Sequence, residues 1–283
     1  MTILLLALGL TACASFVTPA TPAPTETPAP PTATPVPAAA TVNGEVVPLA
    51  EFEAELARYR SAMAALGKSV SDEEASKIVL DELIDQVLLA QGARAAGFDL
   101  TEADLQSRID ALADSIGGAE RLSAWQSAHG YDESSFRIAL RRAAEAAWMR
   151  DKIVADVPGT AEQVHVQQIL AYNEDAARRA LEQLQAGVDF DEVAVLYDPA
   201  TRGDLGWFPR GYLLEPKIEE AAFNLQVGQY SEVIATEIGF HIIKVLERGD
   251  HPLSPDALLT VQEQAVREWL AGQRLQAQIV LAP

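Results

Sequence analysis

Apolar residues recur along this chain with two periods. Leu49, Phe52, Leu56, Tyr59, Met63 and Leu66 follow steps of three and four, which puts them on one face of a helix. A second stripe, Ile78, Val79, Leu83, Ile84, Val87 and Leu88, opens behind Ser71 and Glu74, the spacing of a capping box, and has Gly97 near its stop. Thr101 starts a third helix, with Leu105, Ile109, Leu112 and Ile116 facing in and Gly117-Gly118 ending it. Leu122 and Trp125 mark a short fourth. Asp132 caps a fifth, which carries Phe136, Leu140, Trp148, Ile153 and Val154 to a break at Pro158-Gly159. Ahead of these helices, Val42-Asn43-Gly44-Glu45-Val46-Val47 reads as a tight Asn-Gly turn between two strand pieces.

After Gly159 the periods mix. Residues 164–170 read as a strand, 174–185 as a helix, and Gly187-Val188-Asp189-Phe190 leads into a second helix through Leu196. Gly203-Asp204-Leu205-Gly206-Trp207-Phe208 is a glycine-bracketed turn running into an aromatic strand. Residues 219–225 form a third helix, ended by the turn Leu225-Gln226-Val227-Gly228-Gln229, and 233–235 and 239–246 form the last two strands. That order predicts a small α+β domain with a four-stranded sheet. Beyond it, Ser254-Pro255 sets an N-cap with proline at N1 for a last helix striped by Leu258, Val261, Ala265, Trp269 and Leu270. A stripe of that kind must be buried against something.

Composition changes the picture mainly at the N-terminus. Residues 3–10 are an apolar run far shorter than the roughly 20 residues of a membrane-spanning helix, and fit the hydrophobic region of a signal peptide. No Lys or Arg precedes the run, a departure from that pattern. Residues 19–37 then hold half of the chain's 16 prolines, interleaved with Thr and Ala. Proline at this density blocks helix and ladder alike and favours an extended spacer, about 3.1 Å per residue. With a net charge of −20 and no basic stripe, the sequence argues against a nucleic-acid partner. A single cysteine excludes an intramolecular disulfide, the four histidines are too scattered for a metal site, and nothing calls for a cofactor.

Three blocks in fixed order carry a family resemblance: Gly203-Asp204-Leu205-Gly206-Trp207-Phe208, the segment Glu219-Glu220-Ala221-Ala222-Phe223, and Gly239-Phe240-His241-Ile242-Ile243-Lys244-Val245. They resemble the C-terminal half of a parvulin-type peptidylprolyl isomerase domain. The helices before them, opening on the Asn43-Gly44 turn, resemble the N-terminal chaperone region of SurA/PrsA-type extracytoplasmic foldases. Leu10-Thr11-Ala12-Cys13 resembles the lipobox of bacterial lipoproteins, in which the cysteine is lipidated. These likenesses imply a signal peptide with lipobox over 1–13, a Pro/Thr-rich linker over 14–40, a helical chaperone-like region over 41–158 completed by 252–283, and a parvulin-like domain over 160–250. The fold class expected is α+β, a mostly helical region plus a four-stranded sheet with flanking helices.

The resemblance also implies a site. His241 falls on the second histidine of the family and Gln168 stands where the first belongs. Thr236 falls on the hydroxyl residue before the second histidine, and Asp198 matches the family's Cys/Asp position. Leu205 and Leu213 or Leu214 fall on apolar pocket positions, Ile218 replaces the pocket phenylalanine, and Phe223 matches the aromatic of the helix block. His165, three residues before Gln168, points to the opposite sheet face and does not substitute for it. The function implied is a foldase: isomerase and chaperone for proline-containing or unfolded polypeptides, held to a membrane through lipidated Cys13. The alternative is a chaperone whose parvulin-like domain binds extended chains without catalysis.

Overall fold

The computed structural model describes residues 37–282. Cys13, the signal segment and most of the proline-rich stretch lie outside the described residues. Strand β1 (Ala38–Val42) begins inside the segment expected to be linker, which corrects that boundary. From Ala38 to Val42 no proline interrupts, so each residue has an N–H to pair, and three alanines present no obstacle to a ladder. β1 turns into β2 (Glu45–Pro48) through Asn43 and Gly44, at φ 52° and 84°, the left-handed pair that a tight hairpin turn requires.

Five helices follow: α1 (Leu49–Ala65), α2 (Asp72–Ala95), α3 (Glu102–Ile116), α4 (Ala119–Ala128) and α5 (Glu133–Ala155). Their starts are the expected ones. Ser71 accepts a bond from the Glu74 N–H and Thr101 from that of Asp104, while Asp132 and Ser135 form a complete reciprocal box. α2 is apolar on two sides. Val79, Leu83, Val87 and Leu88 pack against the hairpin, while Leu89 and Ala93 meet Ala146, Met149 and Ile153 of α5. α1 departs from its stripe: Phe52, Leu56 and Tyr59 lean on that core, yet no residue of the helix is buried and Leu66 is exposed.

The second region is an antiparallel sheet of order β4-β3-β6-β5. Its elements are β3 (Thr160–Ala171), α6 (Glu174–Gln185), α7 (Phe190–Tyr197), β4 (Asp204–Pro209), α8 (Pro216–Asn224), β5 (Ile234–Ala235) and β6 (Phe240–Pro252). One face, with Val164, Val166, Phe208, Ile243 and Val245, is covered by Ile218, Ala222 and Phe223 of α8. The other, with Ile169 and Ile242, is covered by Ala180 and Leu184 of α6 and by Phe190 and Val193 of α7. β6 runs six residues past the expected end at Leu246, because Glu247–Pro252 lies against the polar start of β3.

The chain then returns to the first region as α9 (Pro255–Gln276) and β7 (Ile279–Leu281). Ser254 caps α9, and Trp269 and Leu270 join the core between α2 and α5. The Trp269 ring fills a notch at Gly92, where an added Cβ would stand 2.5 Å from it. Arg274 binds α2 as well, with Nε 2.6 Å from Asp85 Oδ1 and Nη2 2.8 Å from the Asp81 carbonyl. β7, which no sequence signal announced, pairs antiparallel with β1 to give the order β2-β1-β7. The fold is thus a mostly helical region plus a four-stranded antiparallel sheet with helices on both faces.

Candidate active site

An open cavity of about 510 Å³ lies on the α8 face of the sheet. Strand alternation decides which side chains reach it. Gln168 and Leu170 continue the face of Val164 and Val166 on β3, while His241 precedes Ile243 and Val245 on β6. Ile218 enters from the first turn of α8 and Leu205 from β4. The connection into α8 supplies Tyr212, Leu213, Leu214 and Glu215, and Ile238 closes one side.

His241 is 2% exposed and held at both ring nitrogens. Nδ1 lies 3.1 Å from the amide oxygen of Gln168 and Nε2 lies 2.9 Å from Thr236 Oγ1. An amide oxygen only accepts, so with this amide orientation Nδ1 donates to Gln168, while the Thr236 hydroxyl stands between Nε2 and the Gly239 carbonyl, the latter at 3.2 Å. Burial holds the imidazole below its ordinary value of 6.5, against the opposing pull of the Glu215 carboxylate. The ring at the cavity floor is therefore neutral near pH 7 and held in place at both nitrogens.

Two local devices position these groups. Glu219 on α8 accepts from the N–H groups of Gly211 at 2.7 Å and Leu213 at 3.1 Å, so the helix clamps the connection that forms one wall. Gly203, at φ +72°, takes the Gln168 N–H on its carbonyl at 2.8 Å. A Cβ there would fall 1.8 Å from the Gln168 carbonyl oxygen, so only glycine lets the turn lie this close to β3.

Of the residues singled out in the sequence, His241, Gln168, Leu205, Leu213, Leu214 and Ile218 line this one cavity, and Thr236 joins it through His241. Leu214 is a rim residue, fully exposed. Asp198 and Phe223 lie outside the cavity lining. Asp198 does not line the cavity; its carboxylate accepts from the Ala200 and Thr201 N–H groups at 3.0 and 3.1 Å and from the Thr201 hydroxyl. Those bonds, the Thr201 hydroxyl first, hold its carboxyl below the usual carboxylate range and close a turn after α7. Phe223 is buried core, edge-on to Phe208 at 6.3 Å and under the Arg210 guanidinium at 4.1 Å. His165 stands on the other sheet face, 2.8 Å from Asp204 and stacked on Trp207.

Leu170, Tyr212, Glu215 and Ile238 also line the cavity and were not anticipated. Leu170 was accessible from alternation, two residues after Gln168. The other three sit in connections, where no periodicity marks direction.

The site thus lies on a four-stranded antiparallel sheet with one helix on the face that holds the pinned histidine and two on the other, as the resemblance to parvulins implied. In agreement, residues 162–247 match the PPIC-type PPIASE domain and residues 32–130 the SurA-like N-terminal domain, so the chain carries both. It is 42% identical to the foldase protein PrsA of Halalkalibacterium halodurans over 93 residues, which are 31% of this chain and 28% of the relative. Identity to the PrsA of Geobacillus kaustophilus is 28% over 185 residues, 62% of this chain and 64% of that one. Identity to the chaperone SurA of Dechloromonas aromatica is 35% over 124 residues, 39% of this chain and 28% of the relative. The chain thus spans less than two thirds of the length of these curated relatives. Among solved structures it is similar to a PrsA peptidylprolyl isomerase from Bacillus cereus, at 24% identity, 74% of this chain, 83% of that one and a TM-score of 0.42.

Proposed function

We propose that this chain is an extracytoplasmic foldase, a peptidylprolyl cis-trans isomerase with a helical client-binding region. Its clients would be unfolded or proline-containing polypeptides. The observation that carries this reading is the neutral, doubly bonded His241 at the floor of a cavity walled mainly by Leu and Ile side chains. Rotation about a peptide bond faces about 18–20 kcal/mol, and X-Pro pairs interconvert in roughly tens to hundreds of seconds unaided. No covalent bond need be made. Leu205, Leu213 and Ile218 take the proline ring out of water, and the imide bond before it follows into a site that stabilises the twisted form, which has lost resonance, more than it stabilises the planar one. His241, set by Gln168 and Thr236, shapes that floor and moves no proton. Asp198, tied into its turn, has no part.

Gln168 in place of the first family histidine implies weakened turnover, and Gln168→His raises it or leaves it unchanged. A protease-coupled isomerisation assay on the purified protein tests the reading: acceleration is expected, and Leu205→Ala and Ile218→Ala lower it. The same substitution favours a second reading, a chaperone that binds extended chain without catalysis. Retained peptide binding with no acceleration in the wild type would establish that alternative.

The anchor is part of the proposal. No described helix is long and apolar enough to cross a membrane, and the Leu10-Thr11-Ala12-Cys13 sequence offers a lipid attachment at Cys13 instead. One acyl chain binds membranes only marginally, so stable tethering requires more than one on the cysteine. Protein made with a functional signal sequence is expected to partition with membranes and Cys13→Ser to release it; equal partitioning of the two refutes the anchor.

A further inference from the structure

Glu215 is the single formally charged side chain lining the cavity, His241 being neutral. It stands at the N-cap of α8, where an acidic side chain ordinarily turns back to accept from the free N–H groups of its own helix. It makes no such bond. Pro216 follows at N1, without an N–H to offer, and its ring biases the preceding residue to the extended region that Glu215 adopts at φ −105° and ψ 96°. The backbone is thus fixed with the carboxylate at the cavity, beside the N-terminus of α8.

No cation in the lining answers this charge. Lys217 gives its Nζ to the Ala235 carbonyl at 3.1 Å. Arg210 lies over the Phe223 ring at 4.1 Å, and Arg248 spends its Nη2 on the carbonyls of Phe223 and Leu225, each at 2.9 Å. A carboxylate beside an apolar site, in a chain of net charge −20, sets a negative potential where the residues flanking a bound proline must pass. Resting on the isomerase reading, we infer that Glu215 determines specificity, selecting clients in which Lys or Arg flanks the proline and rejecting those with Asp or Glu there.

The test is NMR exchange spectroscopy on short peptides with Lys, Leu or Glu before the proline, and a second set with the same residues after it. Exchange cross-peaks report turnover and shift changes report binding in the same sample. Lys over Glu by about five- to tenfold is expected in at least one position, the range of a partly solvated ion pair against its like-charge counterpart. The ratio falls toward one at about 1 M salt, where the Debye length is about 3 Å. Glu215→Gln is expected to collapse the ratio and Glu215→Lys to invert it, which a merely structural role would not do. Equal handling of Lys and Glu peptides by the wild type, or an unchanged ratio in Glu215→Gln, overturns the inference. Shift changes without exchange on any peptide would end the isomerase reading alone, and the ranking of dissociation constants would then decide the role of Glu215. Were the variants to misfold by circular dichroism, the wild-type ratio and its salt dependence decide it.

Discussion

Gly92→Ala is a substitution whose sign should depend on a residue far along the chain. Gly92 sits inside α2, and alanine in a helix interior is worth about 0.8–1.0 kcal/mol over glycine. Taken alone, the change should stabilise. In the folded protein, however, the new Cβ would stand 2.5 and 2.6 Å from the Cη2 and Cζ2 atoms of Trp269 on α9, with Met149 Cγ already at 3.5 Å. Real Cβ contacts do not come that close, so the indole must move, and overpacking of this sort costs about 1–3 kcal/mol. A net loss of up to about 2 kcal/mol is therefore expected. Once Trp269→Ala has emptied the notch, the clash disappears and Gly92→Ala should stabilise by close to its intrinsic 1 kcal/mol. The double-mutant cycle thus carries a coupling of about 1–3 kcal/mol with a change of sign. Urea unfolding of the four proteins, followed by far-ultraviolet circular dichroism so that loss of an indole does not blind the probe, reads each step. Stabilisation by Gly92→Ala in the wild type, or the same effect in both backgrounds, would refute the seating of α9 on α2.

Removal of residues 253–283 strips Trp269, Leu270 and Arg274 from α2 and is expected to lower the stability of the helical region and its suppression of client aggregation; an equally stable and active remainder would contradict a discontinuous region. Gly203→Ala combines a left-handed backbone with a Cβ 1.8 Å from the Gln168 carbonyl. It should cost more than the roughly 1–2 kcal/mol of handedness alone and reduce isomerisation, both measured on one preparation. His241 is held below its ordinary 6.5, so the unfolded chain binds the proton more readily. Stability from this group is accordingly full above about pH 6.5 and lost as pH falls below it, so the gap in urea midpoint between the wild type and His241→Gln should be constant above about pH 6.5 and narrow below it.

Helix starts were legible because caps are local: Ser71, Thr101, Asp132 and Ser254 each meet a partner three residues away. The pocket face was legible where alternation ran unbroken, which placed Gln168 and His241 on one side and His165 on the other. That Asp198 and Phe223 lie outside the cavity was not legible, because the same residue types serve turns and cores as readily as sites, and only burial and partners separate those uses. Glu215 escaped notice because its importance lies in a bond it does not make. β7 is three residues long, and its pairing to β1 depends on a partner from the other end of the chain.

That last pairing has a consequence for synthesis. The four-stranded sheet and its helices are contiguous in sequence, inserted between α5 and α9, so this part is complete as soon as residue 252 has emerged. The body around it cannot close then. Asn43 Oδ1 receives the Gln278 N–H from 235 residues away, and β1 waits just as long for β7. Long loop closure is slow and leaves apolar surface uncovered meanwhile. During that interval the two-sided α2 stays open along the side that α9 will cover. A chain made from its N-terminus therefore matures from the inside out, its central insertion folded before its own frame.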